Sequence, residues 1–318
     1  MRAREGATAV QPQLSTGLRS FTPEDPGSWQ HLIDVAQAAD EAGVDRLTVS
    51  DHVAFGEQLE DYARPELGGQ IGGVQPTSPD GYWLDPLTVI AHLTSVTTRV
   101  RFGTNILLAA LRRPLVLAKV GATIDVLSGG RLDIGVGIGW QLAEYQAAGL
   151  PYNRRGRLLD HTLELCQTLW RNRVAAYDAE GVTFSNVHQM PKPVLPGGVP
   201  IWVSGTVNPR AMRRLARHGS GWIPWGPDAA DIPGGIERMR EAVAGFGRDP
   251  AELGVVGRLQ IVQDDAGGID LEATMAAVPD LVAAGVTDVR GGFRVTEERE
   301  AATEEFSAIV EAFRAATS

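Results

Sequence analysis

Leu127-Ser128-Gly129-Gly130-Arg131-Leu132-Asp133-Ile134-Gly135-Val136-Gly137-Ile138-Gly139-Trp140 decides how this chain is read, because glycines and β-branched residues alternate strictly from Ile134 to Gly139. A period of two is a strand. Gly135, Gly137 and Gly139 then share one face and Ile134, Val136 and Ile138 the other, so one side packs an apolar layer and the other carries no side chains. A bare strand face admits something flat or bulky. The dinucleotide-binding fingerprint is not met: the spacing is Gly-x-Gly-x-Gly, Trp140 stands where the last glycine would be, and the glycines lie within the strand.

Outward from this stretch, strand-like runs alternate with amphipathic helices along the whole chain. The expected units are Ala7–Gln11 with Ser28–Ala42, Arg46–Ser50 with Pro86–Thr97, Val100–Asn105 with Pro114–Leu127, and Leu132–Gly137 with Gln141–Ala148. They continue as Ile201–Ser204 with Pro209–His218, Trp222–Pro224 with Gly235–Gly245, Val255–Val262 with Leu271–Ala284, and Asp288–Arg290 with Glu297–Ala316. Eight alternating units predict an α/β protein, a (β/α)8 TIM barrel. Two segments exceed an ordinary connection. Val53–Gly81, rich in Gly and Pro, is expected to be a lid loop after the second strand. Pro151–Pro200 is expected to be an insertion after the fourth strand, with a helix over Arg155–Arg171 and a hairpin over Val174–Ser185. Because the strands resume after it, a single domain over residues 1–318 is expected.

The 318 residues are 43% hydrophobic and carry a net charge of −10 without any Lys/Arg-rich block, which disfavours nucleic acid and anionic membranes and favours a small-molecule substrate. Cys166, the single cysteine, falls in a helical apolar pattern with Leu159, Leu163 and Trp170 and reads as a buried structural thiol. Met1–Val10 holds Arg2 and Arg4 with no apolar stretch behind them, and no run of 18 apolar residues occurs, so a cytoplasmic protein is expected.

In such a barrel the chemistry sits at the carboxyl ends of the strands. The candidates there are Ser50-Asp51-His52, Gly103-Thr104-Asn105-Ile106, Gly139-Trp140, Ser204-Gly205-Thr206 and Pro224-Trp225. His52 is the candidate proton carrier, with Asp51 beside it to fix its tautomer or cap the loop. Ser204 to Pro209 links a strand to a helix whose free amides would suit a phosphate, with Asn208 as N-cap. Arg210, Arg213, Arg214 and Arg217 recur at helical spacing and read as a solvated face. No metal site is expected, since His31, His92, His161, His188 and His218 fall on helices or the insertion.

Taken together, Asp40-Glu41-Ala42-Gly43 through Ser50-Asp51-His52, Asp85-Pro86-Leu87 through Gly103-Thr104, Arg112-Arg113-Pro114 through Ala118-Lys119, Leu127 through Trp140, and Pro200-Ile201-Trp202-Val203-Ser204-Gly205 resemble the bacterial luciferase-like superfamily. The resemblance is to its deazaflavin-dependent branch, which uses coenzyme F420, and covers residues 28–226. It implies a (β/α)8 barrel with a flavin or deazaflavin in its mouth, a cis peptide at Asn105-Ile106 behind the ring, His52 and Asp51 as catalytic residues, and Asn105, Ile106, Gly137, Gly139, Trp140, Ser204, Gly205 and Thr206 around the cofactor. Gly219-Ser220-Gly221-Trp222 departs from the family's usual Gly-Asp-Gly-Trp, and Trp140 stands where some relatives have a carboxylate. The implied activity is hydride transfer between reduced deazaflavin and a small organic substrate under the Val53–Gly81 loop, in a homodimer. The alternatives are an FMN-dependent monooxygenase using O2 and a partner flavin reductase, and a non-catalytic flavin-binding protein.

Overall fold

Eight parallel strands close into a barrel in the computed structural model, which describes residues 11–318. The chain runs through β1 (Gln13–Leu18), β2 (Phe21–Thr22), α1 (Gln30–Ala42), β3 (Arg46–Val49), β4 (Tyr82–Trp83), α2 (Pro86–Leu93), β5 (Arg101–Thr104), α3 (Pro114–Leu127) and β6 (Leu132–Val136). It goes on through α4 (Leu142–Ala147), α5 (Arg155–Arg171), β7 (Ala175–Ala179), β8 (Val182–Val187), β9 (Ile201–Gly205), α6 (Pro209–His218) and β10 (Gly221–Pro224). The last elements are α7 (Pro227–Ala230), α8 (Ile232–Gly245), β11 (Gly254–Leu259), α9 (Leu271–Met275), α10 (Val278–Ala284), β12 (Asp288–Gly291) and α11 (Arg299–Ala316). Around the barrel the order is β1-β12-β11-β10-β9-β6-β5-β3, and β1 pairs with β3 to close it. Helix α11 packs on α1 and completes the outer ring.

The expected first strand is displaced. Of Ala7–Gln11, residues 7–10 lie outside the described residues, and the barrel begins at Gln13, where Leu14 and Leu18 are buried on the helix side. The seventh expected helix, Leu271–Ala284, is two helices, with Pro279 in the first turn of the second. In the fourth unit α4 is short, and the ring position between α3 and α6 is taken by α5, inside the segment expected to be an excursion. What projects from that segment is the β7-β8 hairpin. Cys166 is buried on α5, and burial pushes its thiol pKa up.

The main apolar core lies between strands and helices. Inside the barrel the layers differ. At the amino end Arg46 donates Nε to Asp133 (3.0 Å) and Nη1 to Asp288, while Arg101 donates Nε to Asp133 (2.9 Å). Buried charges persist only when paired. Above them sits a small apolar layer of Trp202, Ile223 and Val256 against Ile106, with the Arg46 guanidinium 4.7 Å from the Trp202 ring. The carboxyl end is left open, and there the cavity begins.

The glycine face is the element that shapes this mouth. It is not left empty: the segment after β5 folds onto it, with Leu107 N–H donating to Gly135 O (2.7 Å) and Gly137 N–H to Leu107 O (3.3 Å). A Cβ on Gly135 would collide with the Thr104 carbonyl, one on Gly137 would stand 2.6 Å from Ile106 Cδ1, and one on Gly139 2.8 Å from Leu108 Cδ2. The bare face therefore admits residues 104–108 of the chain itself, and the Asn105-Ile106 peptide is cis.

Candidate active site

A cavity of about 620 Å3 occupies the carboxyl end of the barrel, within the range of small-molecule sites. The ten residues that the resemblance assigns to catalysis and cofactor all line it: Asp51 and His52 after β3, Asn105 and Ile106 after β5, Gly137, Gly139 and Trp140 after β6, and Ser204, Gly205 and Thr206 at the end of β9, whereas the strand-end candidates Gly103, Thr104 and Pro224 do not. The Val53–Gly81 segment contributes Tyr62, Pro65, Gly68 and Val74 to the wall. It is fastened by carbonyls: Gly69 O accepts from Trp225 Nε1 (3.0 Å), and Leu67 O accepts from Tyr152 Oη (3.3 Å) and Arg155 Nη2 (3.1 Å). The antiparallel pair β2-β4, which the sequence reading did not anticipate, sets Phe21 on Trp83 with ring centroids 4.2 Å apart beside His52.

His52 finds its partner elsewhere than expected. Its Nδ1 lies 3.3 Å from Oε1 of Glu144 on α4, and the same oxygen accepts the N–H of Val53 (2.8 Å). Asp51 points away from the imidazole. It accepts both Nη atoms of Arg112 (2.6 and 3.0 Å) and the N–H of Leu108 (2.8 Å). Arg112 also bridges to Asp85, the N-cap of α2, and these partners outweigh burial to raise its pKa. Asp51 thus locks the loop carrying Ile106 to the end of β3, and the expectation that it fixes the His52 tautomer is corrected. Glu144 was missed because it lies 92 residues from His52; its only sequence signal is a lone carboxylate one turn past Trp140 in an otherwise uncharged helix.

On the turn after β9 the amides of Val207, Arg210 and Ala211 are occupied. Asn208 Oδ1 accepts the N–H groups of Arg210 (3.1 Å) and Ala211 (3.0 Å), and Asp228 accepts that of Val207 (2.7 Å). The positive charge there comes from side chains: Arg155, Arg210 and Arg214 all line the cavity. Arg214 is buried against Asp160 (2.6 Å), so the arginine row on α6 is not a plain solvated face.

Several buried polar atoms near this wall have no hydrogen-bond partner among the described residues: Ser50 Oγ, Trp140 Nε1 and Arg155 Nε belong to residues that line the cavity, and Gln141 Nε2 and Glu144 Oε2 to the segment that follows Trp140. Each such atom costs on the order of 1–3 kcal/mol unless a partner reaches it. No cluster of three His, Cys, Asp or Glu side chains suited to a metal ion occurs among the described residues, and none of their helices is long and apolar enough to cross a membrane.

Comparison with known proteins fits this geometry. The family description "Luciferase-like monooxygenase" matches residues 8–267. The chain belongs to that family. Relatives include an uncharacterised protein of Mycobacterium tuberculosis, 36% identical over 52% of this chain and 58% of that protein. They also include F420-dependent glucose-6-phosphate dehydrogenases of Nocardia farcinica (32% identical, 61% of this chain and 52% of that one) and Mycolicibacterium gilvum (28%, 79% and 70%). Among solved structures, an F420-dependent secondary alcohol dehydrogenase in complex with an F420-acetone adduct superposes with a TM-score of 0.72 at 15% identity, covering 96% of this chain and 99% of that one. A monooxygenase from Streptomyces bottropensis does so with 0.71 at 18%, covering 96% and 100%. At these identities the structural likeness is one of fold.

Proposed function

We propose that this chain is an oxidoreductase transferring a hydride between coenzyme F420 and a small organic substrate. The observation that carries the reading is one cavity lined both by His52, which is paired with Glu144, and by Arg155 and Arg210. The relatives named as F420-dependent support the choice of cofactor. The apolar bulge of Ile106 seated on Gly137, with Arg155 and Arg210 on the same cavity, fits a flat ring with an anionic tail. Ile106, Gly137, Gly139 and Trp140, with Asn105 behind, would flank the ring, and Ser204, Gly205 and Thr206 with the two arginines would hold the phosphate. When bound, the reduced deazaflavin supplies the hydride.

The proton that balances it falls to His52. Glu144 Oε1 already accepts from the Val53 amide, so Nδ1 carries its hydrogen toward that oxygen and Nε2 is left for exchange with substrate. Tyr62 and the lid that carries it form part of the chamber wall and would limit water at the reacting atoms.

Titration of the purified protein with F420, read by cofactor fluorescence, should give micromolar binding and weaker binding of FMN. A preference for FMN by tenfold, about 1.4 kcal/mol, would replace this reading with an FMN-dependent monooxygenase fed by a reductase. F420 binding with no turnover across carbonyl and alkene substrates would leave a binding protein instead.

A further inference from the structure

Five rings form a continuous wall around His52 in the cavity. Phe21 stacks on Trp83 with centroids 4.2 Å apart, and Trp83 meets the His52 imidazole edge-on at 4.9 Å. His52 in turn meets Trp140 edge-on at 6.1 Å, and Trp140 meets Tyr62 at 5.5 Å. All five line the cavity, and Phe55 backs them at 4.4 Å from the imidazole and 5.4 Å from Trp83. Phe21, Tyr62 and Trp83 are only half-buried. Aromatic surface left open in this way, gathered on one concave wall instead of scattered singly, marks a place that an apolar ligand covers.

The charges that line the same cavity are already engaged. Asp51 is paired with Arg112 (2.6 Å), Glu66 with Arg64 (2.9 Å) and Arg214 with Asp160 (2.6 Å), and Arg155 and Arg210 are the two given above to the cofactor phosphate. Apart from His52 itself, the described residues leave no free charge for a substrate on the aromatic wall. Polar atoms are scarce there too. Trp83 spends its Nε1 on Thr77 Oγ1 (2.9 Å), and His52 spends Nδ1 on Glu144 (3.3 Å). The rings keep only His52 Nε2, Tyr62 Oη and Trp140 Nε1 without a partner among the described residues. A charged group or a run of hydroxyls moved from water onto this wall would lose its hydrogen bonds without replacement, whereas one carbonyl or hydroxyl would not.

We infer that the substrate is uncharged and has a flat apolar body, an aromatic or conjugated ring, which lies against Phe21, Trp83 and Tyr62 and presents a single carbonyl or hydroxyl group to His52 Nε2. Rings pack on such a wall edge-on or offset, as its own members do. The specificity-determining residue is Trp83, which touches both the imidazole and Phe21 and is carried by the short β2-β4 pair outside the barrel. The inference rests on the proposed function for the reaction; the wall itself stands on the ring geometry.

The test is calorimetric titration of the purified full chain, with and without F420, using benzamide, benzoate and acetamide on wild type, Trp83→Ala and Trp83→Phe. Benzamide and benzoate share a ring and differ in charge, and acetamide keeps the amide without the ring. Benzamide should bind at least about tenfold tighter than either of the others. Trp83→Ala should weaken benzamide about tenfold and acetamide less than about twofold, while Trp83→Phe, which keeps a ring and gives up the Thr77 bond, should hold benzamide within about threefold. Equal affinities for the three probes, or benzoate the tightest, overturn the inference, as does benzamide affinity unmoved in Trp83→Ala. A loss in Trp83→Phe as large as in Trp83→Ala assigns the effect to the Thr77 bond and overturns the aromatic wall. Where Trp83→Ala does not fold, the wild-type probe order and Trp83→Phe decide. F420 fluorescence on the same proteins keeps the two readings apart. Cofactor binding with a flat probe series sinks the substrate class alone, and a benzamide preference without cofactor binding sinks the proposed function and leaves an aromatic-binding chamber.

Discussion

Glu144 gives the His52 imidazole a fixed neighbour at a strand end, and the chemistry proposed for His52 depends on it. His52→Ala should leave the fold nearly intact and lower turnover about 100-fold or more, the usual contribution of a positioned acid or base, whereas His52→Gln with near wild-type turnover would reduce the residue to a ring-positioning role. Glu144→Gln keeps an acceptor for the Val53 amide but removes the negative charge beside Nδ1. Without the charge the imidazole loses its oriented neighbour, so the variant should lower kcat with KM little changed. An unmoved kcat would make Glu144 a structural clamp on the loop. Gly137 tests the other side of the cavity. A branched side chain there would drive into Ile106, so Gly137→Val should cost about 1–3 kcal/mol by overpacking and weaken cofactor binding. Unchanged melting and unchanged F420 affinity would show that Ile106 can swing away without consequence.

At the scale of elements, much of the fastening between the lid and the barrel uses the lid's backbone, the Leu67 and Gly69 carbonyls and the Val53 amide among it, and this makes it separable. Trp225→Phe removes the N–H that holds Gly69 O and keeps a smaller aromatic ring in the half-buried position, so it should raise KM several-fold while costing little more than the ~1 kcal/mol of one hydrogen bond in stability, read from steady-state kinetics and melts. A kcat loss with KM unchanged would place Trp225 in the chemistry itself. The strands and most helices were legible because each declares itself within ten or fifteen residues: α3 spans Pro114–Leu127 and α6 Pro209–His218, as the apolar spacing and N-terminal prolines predicted. What stayed hidden is non-local. The β2-β4 pair joins two-residue strands sixty positions apart, too short for any period. The ring position of α5 is set by which helix reaches α3 and α6, and the open look of the glycine face reversed once residues 104–108 were laid across it.

Across the whole molecule, side chains distant in sequence are brought into single charged layers. Arg46, Asp133 and Asp288 each read as the start of an ordinary strand, and only barrel closure makes them neighbours. The site residues were legible because the barrel rule places them by strand end, whereas their partners Glu144 and Arg112 come from other units and carry no local mark. The same joining governs how the molecule responds to acid. Helix α5 holds the hairpin to the barrel through His161 Nδ1 and Tyr177 Oη (3.0 Å), and holds α6 through Gln167 Oε1 and His218 Nδ1 (2.8 Å). Burial lowers the pKa of both histidines from the ordinary 6.5, and at His218 it prevails over the favourable end of the α6 dipole and the nearby Asp160 and Glu164. Below pH 6.5 the unfolded chain therefore binds protons that the folded chain resists. Stability from this source is complete above that value and is lost as pH falls through it toward the folded-state pKa values. Asp40, held low by amides of residues 98 to 100 despite desolvation, contributes stability lost only below its ordinary 3.8, outside this window. Asp125, raised by burial, acts with the opposite sign, and comparing variants at the same two pH values cancels it. Melting at about pH 5.5 should fall below that at about pH 7.5, and the gap should narrow in the His161→Gln/His218→Gln double variant. An equal gap in both proteins would place the acid sensitivity elsewhere in the barrel.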